Sequence, residues 1–249
     1  MIKNILKGIQ AYSQSFGLIS KLKLWKYFFI PILISVITAF LIGFSAYGLS
    51  DNIGGSISKI WIWQWGKQTF ISISSVIGGL AVVVIGLVLY KHIIMALSAP
   101  FMSPVSEKIE AHLTGVNMSE THDHRATSFS QQLWRGVRIN IRNLLKELMF
   151  TIPILFLSFI PIINIFSTVF LFLIQAYYAG FGNIDYTLER HFNYKQSLNF
   201  VHKHKGLAIG NGIVFMLFLL IPVLGVILVL PFSVTAASIK TVEQIKEIK

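Results

Sequence analysis

The chain contains no cysteine among its 249 residues. This absence excludes disulfide bonds, a thiolate nucleophile and any zinc or iron–sulfur site built on cysteine. The patterns of a phosphate-binding loop, a nucleophile elbow and an HExxH metal helix are also missing. Two histidine pairs, His122 with His124 and His202 with His204, are weak metal signals because neither has an indicated third ligand. The sequence therefore argues against an enzyme and predicts no metal and no cofactor.

Charged residues are also scarce. They make up 12% of the chain, about half of their share in soluble proteins, whereas hydrophobic residues make up 54% and form long uncharged runs. The net charge is +11. Because the basic residues lie between apolar runs and not in a basic soluble domain, we expect anionic lipids and not nucleic acid as their partners. The sequence predicts an all-α integral membrane protein with a single membrane domain over residues 1–249.

Two apolar runs are long enough to cross a bilayer. Residues 27–49 carry no charge, and residues 70–97 carry Lys91 and His92 only near their end. Each run exceeds the roughly 20 residues that span a hydrocarbon core of ~30 Å, so both are predicted transmembrane helices. Residues 2–20 place apolar side chains along one helical face, which predicts an amphipathic helix lying in the membrane interface.

Residues 129–147 predict a basic amphipathic helix. Ser128 and Gln131 fit a capping box at its start, and an apolar stripe accompanies the basic one. The basic residues that recur every three or four positions are Arg135, Arg138, Arg142 and Lys146. Such a helix typically docks on an anionic membrane surface. An arginine-lined vestibule that conducts anions is the alternative.

Two further apolar regions, residues 148–182 and 207–238, are interrupted near their middles. The interrupting residues are Pro161 and Asn164 in the first region and Pro222 and Gly225 in the second. As a single helix the first region would rise about 52 Å, while two full spans need about 40 residues. Each region is therefore predicted to form a helical hairpin with arms too short to cross the membrane. We expect Asn164 and Gly225 to adopt the left-handed conformations of turns.

The distribution of charge favours re-entrant hairpins over kinked spans. If both hairpins enter and leave on one side, every basic residue except Lys59 and Lys67 lies on a single face. Lys and Arg concentrate in short cytoplasmic loops, so this face and both termini are predicted to be cytoplasmic. Backbone groups at the hairpin tips would need cover from protein or from a wet pathway. The predicted tip or pathway residues are Pro161, Asn164, Gln175, Pro222 and Gly225.

The apolar runs contain almost no ionisable residues. Proton-driven transporters usually bury carboxylates or histidines within the membrane. Asp185, Glu189 and His191 follow the first hairpin region. They could form a polar cluster, but solvation in a loop is the expectation. The sequence therefore favours a channel-like or facilitated pathway over proton-coupled pumping.

Four short strings and one isolated proline occur in a distinctive order along the chain. They are Pro31, Ala99-Pro100-Phe101, Leu113-Thr114-Gly115 preceded by Glu107 and Glu110, Phe159-Ile160-Pro161-Ile162-Ile163-Asn164, and Ile221-Pro222-Val223-Leu224-Gly225. In this order and spacing they resemble the CysZ-type sulfate permeases of the wider etoposide-induced membrane-protein family. The resemblance covers essentially the whole chain.

The resemblance implies two full transmembrane helices, two hemi-penetrating hairpins and a homo-oligomer in the inner membrane that takes up sulfate for cysteine biosynthesis. It also implies a sulfate site just before the first span, at a glycine followed by an arginine pair. Here the glycine position holds Lys23, and the arginine positions hold Trp25 and Lys26. Lys23 and Lys26 are therefore the candidate residues for binding sulfate or a related oxyanion, although lysine lacks the bidentate geometry of arginine.

The tryptophan at position 25 motivates a second hypothesis. Without the arginine pair, the chain could be a non-transporting membrane scaffold of the same family. Its hairpins would then shape or organise the bilayer as wedges in one leaflet.

Overall fold

A computed structural model describes residues 1–59, 65–115, 128–158, 160–221 and 224–248. These residues form α-helices and no strand, which confirms the all-α class. The nine α-helices of this part of the chain are α1 (Ile2–Lys21), α2 (Phe29–Ser58), α3 (Lys67–Leu97), α4 (Ala99–Thr114), α5 (Phe129–Leu157), α6 (Pro161–His191), α7 (Tyr194–Lys203), α8 (Lys205–Leu219) and α9 (Leu224–Ile248). A short 3-10 helix, Leu24–Tyr27, joins α1 to α2.

The helices α2 and α3 form a long antiparallel pair. Small residues let the two backbones approach closely: a Cβ atom added to Gly78 would lie 2.7 Å from the carbonyl oxygen of Ser50. Large apolar side chains such as Phe40, Phe44 and Val84 point away from this contact and remain exposed. An outward apolar surface of this kind is expected where a helix pair contacts lipid.

Three helices of the described residues are long and apolar enough to cross a membrane. Two of them, Leu24–Ser58 and Lys67–Leu97, contain the predicted spans. The third, Ile163–His191, lies in a region for which the sequence predicted an arm of about 18 residues that is too short to cross. That arm length is wrong because the helix continues beyond residue 182, through polar residues, to His191.

Helix α5 is continuous from the basic segment into the first arm of the first hairpin. Its start carries the predicted capping box, with the Ser128 side chain accepting a hydrogen bond from the amide of Gln131, so that prediction is confirmed. There is no helix end near residue 147. The boundary predicted between a surface helix and a hairpin arm is therefore absent.

Ser158 and Ile160 lie on either side of the connection between α5 and α6, which we call the first tip. Asn164 lies inside α6 and not in the turn, because its amide donates to the carbonyl of Ile160 at 3.0 Å. The amides of Ser158 and Ile160 also donate to carbonyls of the preceding turn. The described amides on either side of the tip are therefore satisfied locally.

The second predicted hairpin corresponds to α8 and α9. Pro222 lies outside the described residues. Gly225 sits in the first turn of α9, where its amide donates to the carbonyl of Ile221 at 2.9 Å. An added Cβ would lie 1.7 Å from the carbonyl oxygen of Phe218, so Gly225 allows two helices to approach closely.

The predicted left-handed conformations of Asn164 and Gly225 are wrong. Among the described residues, positive φ angles occur at Lys23, Gly66 and Gly115. Asn164 and Gly225 both have helical backbones, since each is incorporated into the helix that follows its turn.

The core lies where α1, α6, α8 and α9 meet. Helix α1 turns its small residues Gly8, Ala11 and Ser15 inward, while the larger Leu6 and Phe16 stay exposed on the opposite side. Helices α6 and α8 also cross at small residues, and a Cβ on Gly180 would lie 1.9 Å from the carbonyl oxygen of Ala208. These close crossings tie the second hairpin to the amphipathic first helix and the two hairpins to each other.

An ion pair between Lys91 of α3 and Glu147 of α5 provides a common reference level for the two helix pairs. Helices α3 and α5 run antiparallel here. The N-terminal part of α3 and the C-terminal part of α5 therefore extend from the ion pair in the same direction. Helix α3 extends about 24 residues from Lys91 back to Lys67, or ~36 Å, whereas α5 extends about 10 residues to Leu157, or ~15 Å. Relative to this level, the α5–α6 pair reaches less than half as far as the α2–α3 pair.

Candidate anion site and buried ion pairs

The link between α1 and α2 depends on a left-handed residue. Lys23 has φ 51° and ψ 44°, and this lets the chain turn from α1 directly into the 3-10 helix. A side chain in this conformation carries a strain of about 1–2 kcal/mol, which glycine does not. The glycine implied at this position by the family resemblance thus has a physical reason in the fold.

Four basic side chains come together beside this turn, and we call them the basic cluster. Its members are Lys21, Lys26, Lys108 and His112. The Nζ atoms of Lys26 and Lys108 lie 5.3 Å and 5.8 Å from the centre of the Tyr27 ring, and Lys21 Nζ lies 3.4 Å from His112 Nε2. Lys108 and His112 also line a surface cavity of about 390 Å³.

The basic cluster includes one of the two predicted anion-binding residues. Lys26 belongs to it, while Lys23 is exposed at the adjacent turn. The contributions of Lys108 and His112 from α4 were missed, because about 80 residues separate them from Lys26 in sequence. A signal was available, since they lie four residues apart and so share one face of a helix.

Trp25 takes part in an aromatic contact and not in the basic cluster. Its ring meets Phe28, Phe16 and Phe232 edge-on, with centroids separated by 5.4, 6.3 and 6.2 Å. The side chain at the first arginine position of the family pattern therefore packs α1, α2 and α9 together.

The predicted tip and pathway residues lie apart from the basic cluster in every contact that the structure describes. Asn164 is exposed, and its Oδ1 accepts a hydrogen bond from Thr168 at 3.2 Å. Gln175 is half-buried on α6. Pro161 supplies the first residue of α6, where its missing amide proton leaves no intrahelical bond unmade.

The basic stripe of α5 divides into two groups. Arg135 points inward, and its guanidinium donates to both carboxylate oxygens of Asp185 at 2.8 and 2.9 Å. It also donates to the Phe192 carbonyl and the Ser197 hydroxyl. Assigning Arg135 to the membrane surface is therefore wrong, because it fixes α5 to α6 and α7. Arg138 and Lys146 are exposed, and Arg142 is half-buried.

A buried trio of charged and polar groups joins α3 to α5. Glu147 accepts a hydrogen bond from Lys91 Nζ at 2.6 Å, and its other oxygen lies 3.1 Å from Nε2 of His92. All three side chains are almost completely buried. A carboxylate held by two basic partners avoids the large penalty of an isolated buried charge.

A second buried network joins α4 to α6. Glu110 is held by the guanidinium of Arg190 at 2.9 Å and by His191 at 2.5 Å. Burial alone would raise the pKa of Glu110, but the hydrogen bond from His191 and the charge of Arg190 outweigh burial and hold that pKa below its usual value. The carboxylate of Glu189 is buried next to it and accepts a hydrogen bond from Ser103.

These networks correct one expectation from the sequence. Asp185, Glu189 and His191 lie in α6 and not in a solvated loop: Asp185 and His191 form ion pairs, and Glu189 accepts a hydrogen bond from Ser103. A sequence signal was present in the four-residue spacing of Asp185 and Glu189, which places both on one helical face.

Within the described residues, no group of three or more His, Asp or Glu side chains is arranged to hold a metal ion. His122 and His124 lie outside the described residues. His204 instead packs on the ring of Phe200, with centroids 4.4 Å apart.

Comparison with known proteins identifies the family. A family model described as "Sulfate transporter CysZ/Etoposide-induced protein 2.4" matches residues 11–230. A protein named Sulfate transporter CysZ from Pectobacterium atrosepticum is 27% identical over 242 residues, covering 93% of this chain and 82% of its own length. One of the same name from Pseudomonas syringae pv. tomato is 28% identical over 144 residues, covering 57% of this chain and 56% of its own. The chain therefore belongs to the CysZ/etoposide-induced protein 2.4 family of membrane proteins.

Proposed function

We propose that the protein is an inner-membrane permease or channel for sulfate or a related oxyanion, and that this uptake supplies cysteine biosynthesis. Membership of the CysZ family supports transport, as do the two relatives named as sulfate transporters. The same membership supports a role outside enzyme chemistry. We also expect a homo-oligomer, as the resemblance implies.

The observation that carries this proposal is the basic cluster. Lys26 and Lys108 approach the same ring, and no carboxylate among the described residues pairs with either. Unpaired, exposed ammonium groups attract a doubly charged oxyanion and raise its local concentration. Lys23 extends this positive surface at the neighbouring turn. A lysine ammonium group carries charge but lacks the planar, bidentate geometry of the arginine guanidinium group. We therefore expect the site to bind several oxyanions.

The membrane arrangement is part of the same proposal. The α2–α3 pair would cross the bilayer, while the α5–α6 and α8–α9 pairs would enter and leave on the cytoplasmic side. The reach of ~15 Å beyond Glu147 supports this, since it is about half of a ~30 Å hydrocarbon core. The positive face that results, with both termini on it, follows the preference of Lys and Arg for the cytoplasm.

Uptake of radiolabelled sulfate into proteoliposomes tests the transport proposal. We expect flux above that of empty liposomes, and its loss in Lys26→Ala/Lys108→Ala and in Lys23→Ala/Lys26→Ala. Lys195→Ala/Lys203→Ala removes two exposed charges from α7 and serves as the matched control. Wild-type flux no higher than that of empty liposomes would contradict transport. Equal flux in all variants would contradict the site.

Because buried carboxylates can carry protons in coupled transporters, the uptake assay should also be run with an imposed pH gradient. Three of the buried carboxylates, Glu147, Glu110 and Asp185, are held by basic partners, an arrangement typical of structural ion pairs, whereas Glu189 accepts a hydrogen bond from Ser103. We therefore propose passive conduction, in which flux follows the sulfate gradient alone. Acceleration by an imposed proton gradient would show coupling instead.

A non-transporting scaffold is the second candidate, and the packing of Trp25 favours it. Where the family pattern has an arginine, this chain has an aromatic ring in contact with Phe16, Phe28 and Phe232. A strain that cannot take up sulfate distinguishes the two functions. Growth at limiting sulfate on expression of this chain would eliminate the scaffold hypothesis.

A further inference from the structure

The outward half of the α5 basic stripe borders an apolar groove. Once Arg135 is assigned to the interior, the basic residues that remain are Arg138, Arg142 and Lys146. They line a groove of about 450 Å³ together with at least half-exposed apolar side chains. The apolar members are Trp134, Ile141, Leu145 and Met149.

The two arginines of the groove are held in place by ring contacts. The Arg138 guanidinium lies 4.0 Å from the centre of the Tyr194 ring, and that of Arg142 lies 5.1 Å from the centre of the Phe181 ring. Arg142 also donates to the Asn143 side chain at 2.9 Å. Stacking of this kind leaves guanidinium edges available for hydrogen bonds to an oxyanion.

The positive charge of the groove has no acidic partner within the described ranges. None of the ion pairs found there involves Arg138, Arg142 or Lys146. Arg135, three residues before Arg138, is paired with Asp185. The contrast shows that only the outward part of the stripe is left for an external anion.

The groove continues into the apolar surface of the first hairpin. Beyond Met149 the exposed side chains of α5 include Phe150, Ile152, Leu155 and Phe156. Ile152 and Phe156 fall on the same helical face as Met149, so an apolar surface follows the basic residues toward the first tip. That order matches a phospholipid, with its phosphate at the charged end and its acyl chain along the apolar surface.

We infer that this groove binds one anionic phospholipid. The arginines and Lys146 hold its phosphate, Leu145 and Met149 contact its glycerol backbone, and the acyl chain lies along the apolar side chains that follow toward the first tip. The site is separate from the basic cluster, which is built from other helices, and it does not depend on sulfate transport. A bound lipid here ties α5 to the cytoplasmic leaflet and sets the depth of the first hairpin.

Two other occupants fit the groove less well. A second copy placed by two-fold symmetry would bring the same three positive side chains near their own counterparts, which is unfavourable. A free oxyanion would use the basic residues but leave the apolar surface uncovered. The lipid satisfies both features.

The test is a titration of the purified full chain in maltoside micelles with dioleoyl-phosphatidylglycerol, followed by native mass spectrometry. We expect dioleoyl-phosphatidylcholine to bind more weakly. Removing two charges with Arg138→Gln/Lys146→Gln should weaken phosphatidylglycerol binding roughly thirtyfold. The matched control Lys195→Gln/Lys203→Gln loses the same charge on α7 and should bind like the wild type. Glycerol 1-phosphate should not compete, since it lacks an acyl chain.

Thermal unfolding without added lipid checks that both double variants fold like the wild type. Equal binding of the two phospholipids would overturn the inference, as would unchanged binding by Arg138→Gln/Lys146→Gln. Competition by glycerol 1-phosphate would identify a simple oxyanion site. Self-association of the wild type that is lost in this variant would identify a second copy as the occupant. Sulfate flux is measured in a separate assay. A failure of lipid binding therefore does not contradict sulfate transport, and an absence of transport does not contradict lipid binding.

Discussion

The α2–α3 and α5–α6 pairs have helices of nearly equal length, 30 and 31 residues against 29 and 31. Their charges are placed very differently. Helix α3 has no charged residue between Lys67 and Lys91, whereas α5 is charged from Arg135 to Glu147 and apolar only in its last ten residues. Helix length alone therefore does not distinguish a crossing pair from a re-entrant pair. The position of the last buried ion pair is the observation that supports the arrangement proposed for the two pairs.

The connection within the α2–α3 pair and the first tip within the α5–α6 pair also differ in the charge of the residues beside them. The residues that flank the α2–α3 connection include Lys59 and Lys67, which suit an aqueous surface. The first tip is flanked by Leu157 and Pro161, and its described amides bond within the turn. Local bonding of the described amides and the absence of charge suit membrane depth. The comparison therefore supports the proposal that the two turns lie in different surroundings.

The largest change in stability is expected at the ion pair between Lys91 and Glu147, from which the reach of the two helix pairs was measured. Glu147→Ala leaves Lys91 buried without its partner and should lower the free energy of unfolding by about 3–5 kcal/mol. Titration with sodium dodecyl sulfate measures this value in micelles. Glu243→Ala breaks the exposed pair with Lys240 and should cost less than ~1 kcal/mol. The double variant Lys91→Met/Glu147→Leu should recover part of the loss, because it removes the unpaired ammonium group but leaves buried His92 without its acceptor, and no recovery at all would contradict the pairing.

The next largest effect is expected on membrane insertion, when a lysine replaces an exposed apolar residue of the α2–α3 pair or of the α5–α6 pair. Phe44→Lys near the middle of α2 and Phe166→Lys near the first tip should each disfavour membrane insertion by about 2.5–3.5 kcal/mol. Both side chains are exposed, so neither substitution breaks the protein core. An insertion reporter measures the cost. A tip that reached the far aqueous phase would make Phe166→Lys nearly neutral.

A glycine-to-alanine substitution at a close helix contact should cost more stability at the α6–α8 crossing than within the α2–α3 pair. A Cβ on Gly180 of α6 would meet backbone, 1.9 Å from the carbonyl oxygen of Ala208, while one on Gly86 of α3 would meet the Ile42 side chain at 2.4 Å. A side chain can move and backbone cannot, so Gly180→Ala should destabilise toward the upper end of a ~1–3 kcal/mol range and Gly86→Ala toward the lower. Unfolding titrations compare them directly. A reversed order would show that the α6–α8 crossing is the looser contact.

The smallest effect concerns the turn that leads into the crossing pair. Lys23→Gly relieves the left-handed strain and should stabilise the fold by about 1 kcal/mol. Lys26→Gly, in the 3-10 helix, has no such strain to relieve and should not stabilise it. The free energies of unfolding of these two variants provide the check. Destabilisation by Lys23→Gly would mean that the lysine side chain contributes more than the strain it causes.

Sequence reasoning succeeded where the determining interactions are local. The long apolar runs and the Ser128–Gln131 capping box depend on neighbouring residues, and the structure bears them out. The ion pair of Glu110 with Arg190 joins residues 80 positions apart, which no local pattern specifies. Arg135 and Arg138 belong to the same stripe in sequence, and only the docking of α6 and α7 separates them.

The candidate site was predicted in part for the same reason. Lys26 lies next to the turn that the family pattern marks, so it could be found from sequence. Lys108 and His112 reach the turn only because α4 packs beside α1 and the 3-10 helix. The left-handed backbone of Lys23 also depends on this packing, since lysine has no local preference for it.

The central claim is that the α5–α6 pair enters and leaves on one side of the membrane, while the α2–α3 pair crosses it. Because the chain has no cysteine, single cysteines can be placed at Ser130, Lys195 and Lys59 and labelled with a membrane-impermeant maleimide in oriented vesicles. The account predicts labelling of Ser130→Cys and Lys195→Cys from the same side and of Lys59→Cys from the other. Labelling of Ser130→Cys and Lys195→Cys from opposite sides would contradict it.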